Sequence, residues 1–209
     1  MAIPIVSGAT TDQLTITTKK GALVTAMEPG YGSAGGGFLV TGGNSSVVAA
    51  DLAANTSLMA ARFAPGSSQK AFINKFQIQL VTATLGTAAL VNGSLGLQKF
   101  TTATPTGGTT RAAVRKNSSE GSTTDMTDIR DSNGALTMTS VVFADVVVQF
   151  LNPASGVIAN LVSLEWQFDG FYNQPLVLQP GEGICLRSQV GMPVTHTWMY
   201  SYVMDWFER

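Results

Sequence analysis

The sequence has little charge, one cysteine and one histidine, and each scarcity excludes a class of protein. Of its 209 residues only 12% are charged, and the formal net charge is −1. Such a chain has little electrostatic attraction for nucleic acid or for an anionic membrane. The single Cys185 cannot form an internal disulfide, and its apolar neighbours Ile184 and Leu186 predict a buried small side chain.

Reactive residues are equally scarce, so the sequence predicts no catalytic, cofactor or metal site. His196 is the only histidine, and neither a second histidine nor a carboxylate lies close to it in sequence. No G-x-S-x-G motif supplies a nucleophilic serine. Gly30 to Gly35 match the glycine spacing of a dinucleotide-binding loop, but no helix is predicted to follow them. We therefore expect a non-enzymatic protein.

Two groups of carboxylates have simpler interpretations than a site. Asp125, Asp128 and Asp131 lie three residues apart, whereas calcium loops place ligands at alternating positions. This spacing favours a solvated loop, with a calcium site shared between loops as the lesser alternative. Glu165 and Asp169 bracket a segment that reads as the end of a hairpin, with Asp169-Gly170 as its turn, and not as a glycosidase pair.

What the chain does have is alternation with a period of two, which is typical of β-strands. In residues 71–82 the alternation predicts a central strand, with Phe72, Asn74, Phe76, Ile78 and Leu80 on one face. Residues 45–62 allow a short helix, although strands are favoured there. About eight to ten short strands, separated by turns rich in Gly, Asn and Pro, predict an all-β protein built as an antiparallel β-sandwich or jelly roll.

The last strand concentrates aromatic residues on one face. Its even positions include Trp198, Tyr200, Tyr202 and Trp206, whereas its odd positions include Met199 and Ser201. A strand of this kind has to be covered, either by the second sheet of its own sandwich or by a neighbouring subunit. We favour the core over the subunit interface for these four side chains.

The domain organisation follows from polarity. Residues 1–11 carry no charge and show no periodicity, which predicts an extended N-terminal arm. Residues 12–209 are predicted to form a single β-sandwich domain, interrupted at 102–133 by a long polar loop excursion. The chain opens with neither a signal peptide nor a membrane span, so we expect it to fold in a cytoplasm.

Several short motifs carry a resemblance to a known group of proteins. They are Leu95-Gly96-Leu97-Gln98-Lys99-Phe100-Thr101, Pro105-Thr106-Gly107-Gly108-Thr109-Thr110, Thr127-Asp128-Ile129-Arg130, Ala135-Leu136-Thr137 and Leu178-Gln179-Pro180-Gly181-Glu182-Gly183. Together they resemble a pattern in uncharacterised virion proteins of tailed bacteriophages, of the head-decoration or fibre jelly-roll type. The resemblance covers most of the chain and carries no catalytic residues.

The resemblance implies a structural protein of the virion that folds in the bacterial host cytoplasm. The first hypothesis is a capsid decoration or cement subunit that binds the major capsid protein or neighbouring virion proteins. We expect this subunit to be a homo-oligomer, with a trimer favoured. A tail, collar or fibre component is the alternative, and a carbohydrate-binding module is an alternative of another class. The residues expected to make contacts are Ile3, Pro4, Ile5 and Val6 in the arm and Arg111, Arg115 and Arg130 in the excursion.

Overall fold

The computed structural model describes residues 36–48, 54–84, 93–101, 103–116, 123–131, 136–138, 143–151, 161–168, 176–190 and 197–209. These residues contain strands and turns but no helix. The predicted N-terminal arm with Ile3, Pro4, Ile5 and Val6 lies outside the described residues. So do the Gly30 to Gly35 loop, Asp169 and His196.

Twelve strands occur along the described chain. They are β1 (Gly37–Val48), β2 (Ser57–Phe63), β3 (Ala71–Thr84), β4 (Gly93–Thr101), β5 (Thr109–Thr110), β6 (Val114–Arg115), β7 (Met126–Asp131), β8 (Phe143–Leu151), β9 (Leu161–Gln167), β10 (Leu176–Leu178), β11 (Glu182–Val190) and β12 (Thr197–Glu208).

The strands form two six-stranded antiparallel sheets that pack as a sandwich. Sheet I has the order β10-β3-β12-β1-β6, with β9 also paired to β3, and sheet II has the order β5-β7-β2-β11-β4-β8. The predicted all-β antiparallel sandwich is therefore confirmed, while its jelly-roll variant stays a prediction. β12 lies at the centre of sheet I, where both of its edges are paired.

The core lies between the sheets because β12 directs its even positions toward sheet II. Trp198, Tyr200, Tyr202 and Trp206 are all buried there, and the Tyr200 hydroxyl donates to the Leu58 carbonyl oxygen at 3.0 Å. Further apolar side chains from both sheets complete this core, among them Phe38, Val40, Phe63, Phe76, Ile78, Leu95, Leu97, Ile184 and Leu186. The aromatic face of the last strand thus forms the inside of the chain's own sandwich.

The alternation in β3 is interrupted at Asn74. On the β12 side, Asp205 pairs with Lys75 and Trp206 with Ile73, so Asn74 is an extra residue in the ladder. A bulge of this kind shifts the side-chain phase by one position. Ile73 and Phe76 are therefore both buried in the core, whereas Phe72, predicted to share a face with Phe76, is only half-buried on the outside.

β2 is a strand, not the helix that the sequence also allowed for part of this region. Its alternation is weak for two reasons. The register with β11 shifts at Leu58, so Leu58 and Met59 both join the main core. The opposite face is covered as well, because Ala60 packs against a second cluster there. Residues 49–53 of the same region lie outside the described part of the chain.

The predicted hairpin at Asp169-Gly170 does not form from the flanking strands. β9 pairs with residues 75–81 of β3 and β10 pairs with residues 71–73, both in the antiparallel sense. The two strands therefore continue each other along one edge of β3 and do not pair side by side. β12 already holds β3 in place along its other edge. Pairing with β3 therefore gives β9 and β10 more hydrogen-bonding partners than pairing with each other in a two-strand ribbon would.

The segment predicted as a loop excursion, 102–133, contains three strands, β5, β6 and β7. The sequence did not reveal β7 as a strand, because its buried residues Met126 and Ile129 lie three residues apart and so break the period of two. Asp128 adopts a left-handed conformation (φ 50°), and two residues of β7 oppose one of β2 at this point. This bulge moves Ile129 onto the core face and destroys the period of two.

Candidate functional site

The outer face of sheet I carries a shallow groove, which we call the neutral groove. It has a volume of about 280 Å³ and is lined by Gly43, Asn44, Gln79, Val81, Met199, Tyr200 and Ser201. These residues come from three adjacent strands, because Ser201 pairs with Gly43 on one side and with Gln79 on the other. Met199 remains 41% exposed at its centre.

The chemistry of the neutral groove is that of amides, a hydroxyl and apolar side chains. Its only titratable lining residue is Tyr200, whose ring is buried and whose hydroxyl donates to the Leu58 carbonyl oxygen inside the sandwich. The groove therefore offers van der Waals contact and neutral hydrogen bonds. A partner would be held by shape and burial, with little dependence on charge.

The opposite half of the same outer face is charged, and its charges are paired. Lys75 lies 2.8 Å from Glu165, and the hydrogen bond from Lys75 lowers the pKa of Glu165. Lys116 forms a second ion pair with Asp205. The polarity of the face thus changes along the strands, from paired charges at one end to the neutral groove at the other.

A buried acid fixes the backbone behind the neutral groove. Asp131 at the end of β7 is 1% exposed, and its Oδ2 accepts from the Gly43 amide at 3.0 Å and from Arg111 Nε at 2.6 Å. Arg111 Nη2 donates to the Gly43 carbonyl oxygen at 2.9 Å. We call this Arg111–Asp131 pair the clasp. It joins sheet II to sheet I and raises the pKa of Arg111 through the hydrogen bond to Asp131.

The clasp is tightly enclosed. A side chain at Gly42 would meet Asp131 Oδ2 and the Tyr202 hydroxyl, each 2.5 Å from the position of its Cβ, so only glycine fits there. Burial raises the pKa of Tyr202, and the negative charge of Asp131 raises it further. The tyrosine is therefore a neutral neighbour of the pair at any physiological pH.

A second polar link joins the other end of β7 to sheet I. Glu208 is buried, and its carboxylate accepts from the Trp206 indole N–H at 2.8 Å, the Thr124 hydroxyl at 2.5 Å and the Asp125 amide at 2.9 Å. Three donors around one carboxylate satisfy a buried charge that would otherwise be costly. β7 is thus attached to sheet I at both ends.

Part of the outer face of sheet II is covered by the chain itself. Ala60, Phe100 and Cys185 form a second apolar cluster there with Ala103. Burial raises the pKa of the Cys185 thiol to about 12, which keeps it protonated and unreactive. The predicted burial of this cysteine is confirmed by its zero exposure.

The cover consists of residues 103–108 and 136–138, which we call the strap. Leu136 and Met138 pack on the apolar cluster, and Thr106 and Thr137 exchange two backbone hydrogen bonds. Arg62 donates to the Thr104 hydroxyl at 2.5 Å, and Arg130 donates to the Gly107 carbonyl oxygen at 2.9 Å. Two arginines of sheet II thus hold the strap down.

The structure places the three arginines predicted as contact residues in intramolecular roles. Arg111 belongs to the clasp, Arg130 holds the strap, and the guanidinium of Arg115 lies 5.7 Å from the centre of the Phe38 ring. Sequence reasoning missed the neutral groove instead. The uncharged odd positions Met199 and Ser201, opposite the aromatic face of β12, were the available signal.

Within the residues that the structure describes, no three His, Cys, Asp or Glu side chains are grouped to hold a metal ion. In the same residues no helix has the length and apolarity needed to cross a membrane. The three tryptophans, Trp166, Trp198 and Trp206, are all buried. Comparison with known proteins finds no family model and no curated protein that matches the chain.

Proposed function

We propose that this chain is a non-enzymatic structural protein of a bacteriophage virion, a decoration subunit that binds the major capsid shell and stabilises it. The neutral groove is the observation that carries the proposal. The core side chains, the arginines and Cys185 make contacts within the sandwich. The neutral groove, by contrast, is an exposed surface with a central apolar side chain and no charge. The resemblance of the sequence motifs to virion proteins of tailed phages supports the same role.

The mechanism is adhesive. A stable contact buries roughly 800 Å² on each partner, which exceeds the groove alone, so the surrounding outer face of sheet I takes part. Because the groove carries no charge, its binding depends on burial and not on ion pairs. We therefore expect capsid binding to change little between low and high salt, unlike binding through a charged surface.

A matched pair of lysine substitutions tests the groove. Met199→Lys places a charge at its centre, whereas Val190→Lys places the same charge at a similarly exposed apolar residue of sheet II (48% exposed). We expect Met199→Lys to weaken cosedimentation with purified capsids at least tenfold and Val190→Lys to leave it unchanged. Equal binding by both variants would remove the groove from the mechanism.

The position on the particle is tested with separated heads and tails. We expect the chain to cosediment with tailless heads, as a homo-oligomer, and to raise the temperature at which they release their contents. Binding to tails alone would favour the alternative role as a tail, collar or fibre component. Binding to neither would overturn the virion proposal.

The N-terminal arm is tested by deletion. Removing residues 1–11, which include Ile3, Pro4, Ile5 and Val6, is expected to leave the sandwich folded and to weaken capsid binding. Undiminished retention on capsids would show that the arm is not a contact. The carbohydrate-binding alternative stays a prediction, and the three tryptophans, which it would need exposed to stack on sugar rings, are buried.

A further inference from the structure

β1 leaves one of its edges largely unpaired among the described strands. β12 pairs with it from Gly37 to Val48, but on the other side β6 pairs only with Phe38 and Leu39. The backbone amide of Lys116 donates to the Gly37 carbonyl oxygen on that side. Because hydrogen-bonding directions alternate along a strand, the backbone groups of Leu39, Thr41 and Gly43 face the same edge.

The clasp occupies this edge at Gly43 as a strand would. In an antiparallel ladder, two opposing residues of a hydrogen-bonded pair exchange both of their N–H···O bonds. Here Asp131 Oδ2 accepts from the Gly43 amide at 3.0 Å and Arg111 Nη2 donates to the Gly43 carbonyl oxygen at 2.9 Å. Two side chains thus provide the acceptor and the donor that a neighbouring backbone would provide.

We propose that the Arg111–Asp131 clasp guards the edge of β1 and that its removal opens a strand-pairing site for β1 of a second copy of this chain. Exposed edges are templates for pairing with another chain, and proteins protect them with charged side chains. A second copy is the fitting partner, because an edge paired antiparallel with itself across a two-fold axis satisfies both chains with one set of contacts. The proposal concerns the isolated chain and does not depend on the virion role.

The position of the clasp supports a guard and not only a cross-link between sheets. Asp131 is 1% exposed but Arg111 is 32% exposed, so the Arg111 side of the clasp lies at the surface, where a second chain can approach. Thr41, the preceding residue that faces this edge, is exposed. An incoming strand would thus reach Thr41 directly and would be stopped at Gly43, whose donor and acceptor are already used.

The test removes the guard without leaving a buried charge alone. Arg111→Met is combined with Asp131→Leu because removing Arg111 alone would leave the buried Asp131 carboxylate without its ion-pair partner. We expect the double variant to double its mass by light scattering relative to wild type at the same concentration. Hydrogen exchange at the Thr41 and Gly43 amides is expected to slow as the concentration of this variant rises.

Thr41→Pro in the same background is the blocking control. The Thr41 amide faces the open edge and not β12, so proline removes a donor that only an added strand needs. We expect it to restore the wild-type mass. An unchanged mass in the double variant, or a doubled mass that Thr41→Pro leaves in place, would overturn the proposal. If the double variant fails to fold, Arg111→Lys, which shortens the reach to Gly43, is measured in the same way.

Discussion

The two sheets share one core but treat their outer faces in opposite ways. On sheet II the strap covers Phe100 and Cys185, which are fully buried although they point away from the main core. On sheet I no part of the described chain covers Met199, which stays 41% exposed in the neutral groove. Part of one outer face is thus covered within the described chain, whereas the other carries the exposed neutral groove.

The difference distinguishes residues that stabilise the fold from residues of the proposed binding surface. Residues under the strap contribute to folding, so substitutions there are expected to unfold the protein. The exposed side chain of Met199 in the neutral groove contributes little to folding, so substitutions at this position are expected to change the proposed binding alone. Changes to the core, to each outer face and to the polar links test this separation.

The largest effect is expected from the core that both sheets share. Trp206 is fully buried, stacks on Phe38 with ring centres 5.7 Å apart, and donates to Glu208. Trp206→Ala is expected to lower the free energy of unfolding by about 3–5 kcal/mol, since it leaves a large cavity. Urea denaturation followed by circular dichroism measures it. A loss below about 1 kcal/mol would mean that the sheets do not depend on this contact.

The comparison of the outer faces is tested most directly by one alanine on each. Phe100→Ala is expected to cost about 3 kcal/mol because its ring is buried under the strap. Met199→Ala is expected to change the free energy of unfolding by less than about 0.5 kcal/mol, as at most surface positions. Equal effects in the same denaturation assay would abolish the distinction between the two faces.

The polar link at Glu208 is expected to have a smaller effect. Glu208→Ala leaves the Trp206 indole, the Thr124 hydroxyl and the Asp125 amide without their acceptor. The expected loss is about 2 kcal/mol, which is typical of buried donors left unsatisfied. Glu208→Gln keeps one acceptor oxygen and should lose less. A greater loss in the glutamine variant would contradict the assigned contacts.

A further effect is a pH dependence of stability under the strap, which is small near pH 9. The pKa of Cys185 is raised by burial to about 12 from an ordinary value near 9. Its contribution to stability is therefore fully present below pH 9 and is lost as the pH rises toward 12, because only the unfolded thiol ionises in that window. At pH 10 the expected loss is on the order of 1 kcal/mol.

The measurement compares wild type with Cys185→Ala, so that the other titrating groups cancel. We expect the stability difference between the two proteins to shrink between pH 9 and pH 11. A difference that is constant over this range would show that the thiol reaches water in the folded protein.

Regular alternation made the centre of sheet I predictable. β12 directs Trp198, Tyr200, Tyr202 and Trp206 inward without interruption, as its period of two indicates. The same reasoning assigned Phe72 to the wrong face, because the bulge at Asn74 is held by distant groups. Asn74 accepts from the Phe168 amide at 2.7 Å and donates to Asp205 at 3.3 Å.

The candidate site was less predictable because tertiary contacts create it. Asp131 lies 88 residues from Gly43 and 20 from Arg111 in sequence, so no local pattern reveals the clasp. Arg111 looked available for a partner because the sequence does not show that a buried acid already binds it. The strap could not be predicted for a similar reason. The segment that forms the strap is polar overall and covers the apolar cluster of sheet II with only a few apolar side chains.

The strand order also determines how the chain must fold. No two consecutive strands among the twelve described are hydrogen-bonded to each other. In the pairing of β1 with β12, Val48 lies opposite Thr197, which is 149 residues away in sequence (197 − 48). Gly37 lies opposite Phe207, which is 170 residues away (207 − 37). Contact order among these strands is therefore high, and since no two consecutive described strands form a hairpin that could act as a nucleus, refolding is expected to take milliseconds to seconds or longer. Its rate is set by closing long loops and not by local propensity.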